Sequence, residues 1–235
     1  MTAPKIFNIS VIIPTLNEAA NLVATLAPLR GVPGVEVIIA DGGSTDATLA
    51  LAEAAGVRVV EAPPGRASQQ NGGATLASGE ILLFLHADTL LPEDFAEAMR
   101  TCLAQPDVAA GAFRLGIAGE GWGLRMVERM ANWRSRWFEM PYGDQALFMP
   151  RETFVTLGTF PEQEIMEDFE LVRRLRKRGR IELLELSVQT SARRWQRLGV
   201  LRTTLLNQLV ILGYFLGVAP ARLAGWYRGA AGGGG

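Results

Sequence analysis

Two short runs, Asn8–Ile13 (NISVII) and Val35–Ala40 (VEVIIA), are apolar and β-branched without polar alternation. A strand of that kind must be covered on both faces, which is the condition of a parallel sheet between layers of helix. The intervening sequence supplies the helices. Glu18–Leu29, Thr45–Ala55, Ala67–Ala77 and Pro92–Ala104 read as helices, alternating with further strands at Val57–Glu61 and Glu80–Leu85. Repeated strand–helix units predict an α/β fold with an open, doubly wound, mostly parallel sheet, whose ligands lie where loops leave the carboxyl ends of the strands. The second half is less regular. Val108–Ile117 and Gln145–Met149 read as strands, and Trp122–Phe138 and Glu167–Arg178 as helices.

One domain over residues 1–198, an apolar helical segment over 199–228 and a disordered glycine-rich tail over 229–235 are the expected organisation. The 235 residues carry a single cysteine, Cys102, which excludes an internal disulfide and a paired-cysteine zinc site and points to a reducing, cytoplasmic setting. Met1–Asn8 has no apolar run of the secretory type. Net charge is −1, but residues 1–170 sum to −11 and residues 171–235 to +10. An arginine-rich, partly apolar C-terminal region suits a phosphate or the inner face of a cell membrane more than duplex DNA, and no nucleic-acid motif is present.

The loops at the strand ends hold the polar residues. Pro14-Thr15-Leu16-Asn17-Glu18 follows the first strand, with Asn17 placed to cap the next helix. Asp41-Gly42-Gly43-Ser44-Thr45-Asp46 follows the second. An acid at that strand end can bind a ribose or base, and Gly43 lets a backbone approach, whereas Asp46 reads as complementing a helix start. The fourth strand ends in Phe84-Leu85-His86-Ala87-Asp88. A carboxylate leaving an apolar strand is costly unless paired, and a divalent cation shared with a diphosphate would pair it. His86, the one histidine, reads as a second ligand or as a strand-end polar group. Arg66, on a Gly/Pro loop, reads as a phosphate clamp or a surface arginine.

PTLNE, DGGSTD, FLHAD, GDQALF (Gly143–Phe148) and MEDFELVRRLRKRG (Met166–Gly179) resemble, in order and spacing, the inverting nucleotide-sugar glycosyltransferases of family 2, whose fold is called GT-A. The resemblance covers residues 8 to 180. It implies a donor site built from Pro14, Thr15, Asn17, Glu18, Asp41, Gly43, Arg66, Asn71, His86, Ala87 and Asp88, in which Thr15, Glu18 and Asp41 contact the nucleoside. It implies Mg²⁺ or Mn²⁺ on Asp88 and a base at Asp168, with Glu167 the other candidate. Gly143, Asp144, Gln145, Arg194 and Trp195 are expected to meet the acceptor or the diphosphate. Two motifs depart from the family: Asp-Gly-Gly-Ser stands for Asp-Asp-Gly-Ser, and His86-Ala87-Asp88 for Asp-x-Asp.

A carboxylate near the acceptor hydroxyl, opposite the departing diphosphate, is what a single inverting displacement requires. The donor expected is a UDP, GDP or dTDP sugar and the acceptor a hydroxyl. A polyprenyl-phosphate acceptor and a non-catalytic nucleotide-sugar-binding module are the alternatives. Met126, Met130, Trp133 and Trp137 share one helical face, read first as core and second as an aromatic acceptor platform, beside a stripe of Arg125, Arg129 and Arg136. The uncharged stretch between Arg202 and Arg222 is interrupted by polar residues and glycines, so it reads as an interfacial or dimer-burying helix rather than a membrane span.

Overall fold

The structure is a computed structural model that describes residues 8–232; the N-terminal seven residues and residues 233–235 of the expected tail lie outside the described residues. In chain order the elements begin β1 (Ile9–Thr15), α1 (Ala19–Leu26), β2 (Val35–Asp41), α2 (Thr48–Ala54), β3 (Arg58–Glu61), α3 (Arg66–Leu76) and β4 (Ile81–Phe84). There follow β5 (Thr89–Leu90), α4 (Phe95–Leu103), β6 (Val108–Ala118), α5 (Trp122–Phe138), β7 (Phe148–Pro150), α6 (Arg151–Thr156) and α7 (Glu167–Leu175). The chain closes with β8 (Arg180–Ser191), α8 (Arg193–Leu198), α9 (Val200–Phe215) and α10 (Pro220–Gly232).

The eight strands form one sheet in the order β3-β2-β1-β4-β7-β6-β8-β5. The pairs β1–β2, β2–β3, β1–β4 and β6–β8 are parallel; β4–β7, β6–β7 and β5–β8 are antiparallel. The doubly wound expectation therefore describes the first half, and the second half mixes directions. Alternation along the buried strands divides the core into two layers. Val11, Ile13, Ile39 and Leu83 pack with α1 and α4 through Leu22, Leu26, Phe95 and Met99. Ile12, Ile38, Leu82 and Phe84 face the other way, against Ala67, Phe154, Phe169, Val210 and Leu223. Phe84, Phe154 and Phe160 meet there in tilted and edge-to-face pairs with ring centroids 4.8 to 5.5 Å apart, each such pair adding about 0.5–1.5 kcal/mol beyond its buried area. Gly73 of α3 lets this layer close, because a Cβ there would lie 2.5 Å from Ile12.

Several expectations are corrected. The strand expected at Gln145–Met149 is a 3₁₀ turn at Gly143–Gln145 followed by β7. β8 and α6 have no counterpart in the sequence reading. The C-terminal segment is two helices broken after Phe215, and residues 229–232 continue α10. Among the described residues no helix is long and apolar enough to cross a membrane.

Candidate active site

The register of β1 on β2 sets Thr15 beside Asp41 at the carboxyl ends of both strands. Thr15 Oγ1 and Ser44 Oγ donate to Asp41 Oδ1 at 2.9 and 2.6 Å, and the Gly43 and Ser44 amides donate to Oδ2 at 2.9 and 2.7 Å. Burial pushes the Asp41 carboxyl up, but these donors outweigh it and hold it below its ordinary range. Asp41 is fully buried and accepts four hydrogen bonds, which gives it a loop-holding role. Gly43 supplies the positive φ of +94° that this turn needs. Gln69, buried on α3, donates to the carbonyls of Thr15 and Ala40 at 2.7 and 2.9 Å. Its side chain stands 3.0 Å from where a Cβ on Gly42 would sit, which explains the glycine in place of the family's second acid.

Asn17 does not cap α1. It adopts φ +56°, and its Oδ1 accepts from the Thr45 and Asp46 amides, tying the first loop to the second. Asp46 accepts from the Thr48 and Ala19 amides, a structural role as expected. The Asn71 amide group pairs with both backbone groups of Phe160, at 2.9 and 3.0 Å. Ala87 turns its methyl into the core and its carbonyl accepts from Thr25. Gln145 is fully buried, accepting from Ser135 and Arg134 and donating to the Phe113 carbonyl, so it ties α5 to β6.

The remaining residues converge on a cleft of about 610 Å³. Arg66, His86, Asp88, Tyr142, Asp144, Asp168, Arg193, Arg194 and Trp195 line it, opposite an apolar wall of Ile165, Phe169, Val210, Ile211 and Tyr227. Pro14, Thr15, Asn17, Asp41 and Gly43 lie outside this lining. Glu18 is joined to it through Arg193, whose Nη2 is 3.3 Å from both Glu18 and Asp88. The antiparallel pairing of β5 with β8, Thr89 opposite Thr190, brings Arg193 to Asp88.

Asp168 and Glu167 separate clearly. Asp168 Oδ2 accepts from the Gly143 amide at 2.7 Å on the cleft wall. A Cβ on Gly143 would lie 3.2 Å from both Asp168 Oδ2 and His86 Nε2, so glycine lets these two groups approach. Glu167 turns inward, buried, and pairs with Arg66 Nη1 at 3.3 Å; burial pushes its carboxyl up and Arg66 opposes that. The turn comes from Met166, whose φ of +68° places strain directly before the two acids.

Four cleft residues hold buried polar atoms without a hydrogen-bond partner: His86 Nε2, Asp144 Oδ1, Arg194 Nε and Nη2, and Trp195 Nε1. Such atoms are costly when left unpaired, so they mark a surface shaped for a polar ligand. Burial, with Arg66 nearby, pushes His86 down to about 3, so its imidazole is neutral. Burial raises the Asp144 carboxyl, and burial with Arg66 and Arg197 nearby brings Arg194 down to about 10. Among the described residues no three His, Cys, Asp or Glu side chains gather to hold a metal by themselves. Asp88 and a neutral, unpartnered His86 fit Mg²⁺ or Mn²⁺ only as a partial set completed by diphosphate and water. The apolar wall, Arg193 as the partner of Asp88, and Gln69 escaped the sequence reading; a spacing signal exists only for the arginine, in Arg193-Arg194-Trp195.

Known proteins share this fold. The family model described as Glycosyl transferase family 2 matches residues 10–160. A PGL/p-HBAD biosynthesis glycosyltransferase of Mycobacterium bovis is 42% identical over 176 residues, 68% of this chain and 64% of that protein. The chain thus spans less than two thirds of that relative's length. The mannosyltransferase PcManGT of Pyrobaculum calidifontis, solved with GDP-Man and Mn²⁺, superposes with a TM-score of 0.65 at 18% identity over 98% of this chain and 71% of that one. Glucosyl-3-phosphoglycerate synthase of Mycobacterium tuberculosis, solved with Mn²⁺, UDP and phosphoglyceric acid, gives 0.59 at 22% identity over 77% and 69%.

Proposed function

We propose a reaction on the premise that the chain belongs to glycosyl transferase family 2. It transfers a sugar from a nucleotide-diphosphate donor to an acceptor hydroxyl with inversion at the anomeric carbon. The observation that carries this reading is the cleft, where Asp88 and Asp168 share one space with unpartnered buried polar atoms of His86, Asp144 and Arg194.

Asp168 takes the proton of the acceptor hydroxyl, held in line by the Gly143 amide. Arg66, Arg194 and Arg197 turn positive charge toward the diphosphate, stabilising the charge that develops as it departs. The loops at Thr15–Glu18 and Asp41–Ser44 border the nucleoside, with Asp41 fixing the shape of its loop. Asp88, with His86 beside it, would hold Mg²⁺ or Mn²⁺, and the ion would neutralise the leaving diphosphate when bound. Arg193, which pairs with Asp88 in the structure, adds positive charge to the same side of the cleft. UDP and GDP-Man in the structural relatives support a nucleotide sugar without choosing the base. The buried, unpaired Cys102 supports a cytoplasmic setting.

A lipid-phosphate acceptor is the second reading, favoured by the apolar wall of Ile165, Phe169, Val210 and Ile211. The test is turnover on a panel of UDP, GDP and dTDP sugars with Mn²⁺, with hydroxyl and lipid-phosphate acceptors, following the product anomer by NMR. Acceptor-dependent consumption of one donor with inverted product is expected. Donor binding without turnover anywhere in the panel, unchanged in Asp168→Asn, would make the chain a binding module instead.

A further inference from the structure

The stripe of α5 that the sequence assigned to the core or to an acceptor platform is on the surface. Trp122, Met126, Met130, Trp133 and Trp137 repeat at helical spacing and are 50 to 80% exposed, while the opposite face packs through Leu124, Ala131 and Ser135. α9 repeats the pattern: Leu201, Leu205, Leu209, Leu212 and Leu216, just past its end, form an exposed series. The two helices meet where Gly123 faces Val200. Three of the five tryptophans of the chain lie on the α5 stripe. Unpartnered apolar faces of this extent mark a contact surface in a folded protein.

Charge identifies the occupant. Arg129 beside the α5 stripe, Arg202 on α9 and Arg222 on α10 are exposed and make no ion pair among the described residues. No acidic residue lies on α8, α9 or α10. A symmetric contact with a second copy would set this patch on itself and offer Arg129 and Arg202 no acidic partner from α8, α9 or α10, whereas an anionic lipid surface satisfies arginines and apolar groups together. Tryptophan, with an apolar ring and one N–H donor, is the side chain best suited to the boundary between headgroups and acyl chains. We infer that the exposed faces of α5 and α9 form a docking surface for an anionic lipid bilayer, on which the enzyme lies without crossing it. The inner side of α9 contributes Asn207, Val210 and Ile211 to the cleft, so one helix separates the lipid contact from the candidate active site.

The test is flotation of the full chain with vesicles of phosphatidylcholine alone and of phosphatidylcholine mixed with phosphatidylglycerol, with sedimentation velocity in parallel. Wild type should float with the anionic vesicles and not with the neutral ones, and should sediment as a monomer without lipid. Trp133→Ser/Trp137→Ser should abolish flotation with Tm unchanged. Arg129→Gln/Arg202→Gln should weaken partitioning on the order of 30-fold, from about fivefold per arginine. Absence of flotation, flotation equal on neutral vesicles, flotation untouched by these variants, or a dimer dispersed by Trp133→Ser/Trp137→Ser would each overturn the inference. None of these readouts depends on turnover, so the inference and the proposed reaction fail separately.

Discussion

Glu36, near the start of β2, shows how one side chain sets a pH dependence. Its Oε1 accepts from Ser10 Oγ and from the Ser78 amide and hydroxyl, and its Oε2 from Arg58. Burial works to raise the carboxyl, yet the donors win and lower it from 4.5 to about 2. A folded-state value below the unfolded one stabilises the fold above pH 4.5, and that stabilisation disappears as pH falls toward 2. Glu36→Gln should therefore melt below wild type at neutral pH, with the two Tm curves converging under pH 4.5; curves that stay parallel to pH 2 would refute the assignment. Glu167, buried against Arg66, predicts a different loss. Glu167→Gln should cost about 1–3 kcal/mol in urea unfolding, the penalty of a buried hydrogen-bonded charge losing its match. At this scale the sequence located the acids but not their partners. Glu167 and Asp168 are adjacent letters, but successive positions on a helix point about 100° apart, so α7, starting after the left-handed Met166, sends one inward and the other to the cleft.

At the scale of elements, close approach governs. Gly73 of α3 lies against Ile12, and Gly111 of β6 against Phe148, where an added Cβ would fall 2.5 and 2.3 Å from the neighbouring side chains. Gly73→Val should lower stability by about 1–3 kcal/mol or more, read as a shift in urea midpoint at constant m-value. β1, β4 and the second half of β2 were legible because burial on both faces leaves an unbroken apolar run. β8 was not, since Glu182 and Glu185 interrupt it and its pairing with β6 shifts register between Ala112 and Arg114. α5 shows the limit of periodicity most plainly. Its bounds follow from the sequence, but a helical apolar stripe is the same pattern whether a core or a bilayer covers it. Its inward face packs through Leu124 and Ala131 and is otherwise polar, with Asn132 bonding both backbone groups of Leu115.

Across the whole molecule, the sheet order does what no motif can. β4 carries Asp88 to the sheet's carboxyl edge, α7 carries Asp168, and β8, pairing with β5, returns Arg193 to Asp88 across 105 residues of chain. The five motifs announced a shared site through their order, while the apolar wall from α9 and α10 depends on packing between distant segments and left no local signal. The central claim is that the two carboxylates divide the work of one cleft, Asp88 serving the donor and Asp168 the acceptor. The most direct test measures, on one preparation of Asp168→Asn, the donor Kd in the presence of Mn²⁺ and the single-turnover transfer rate. The account predicts donor affinity equal to wild type and a rate lower by about 10²–10⁴. A variant that binds donor and transfers sugar as fast as wild type would contradict it.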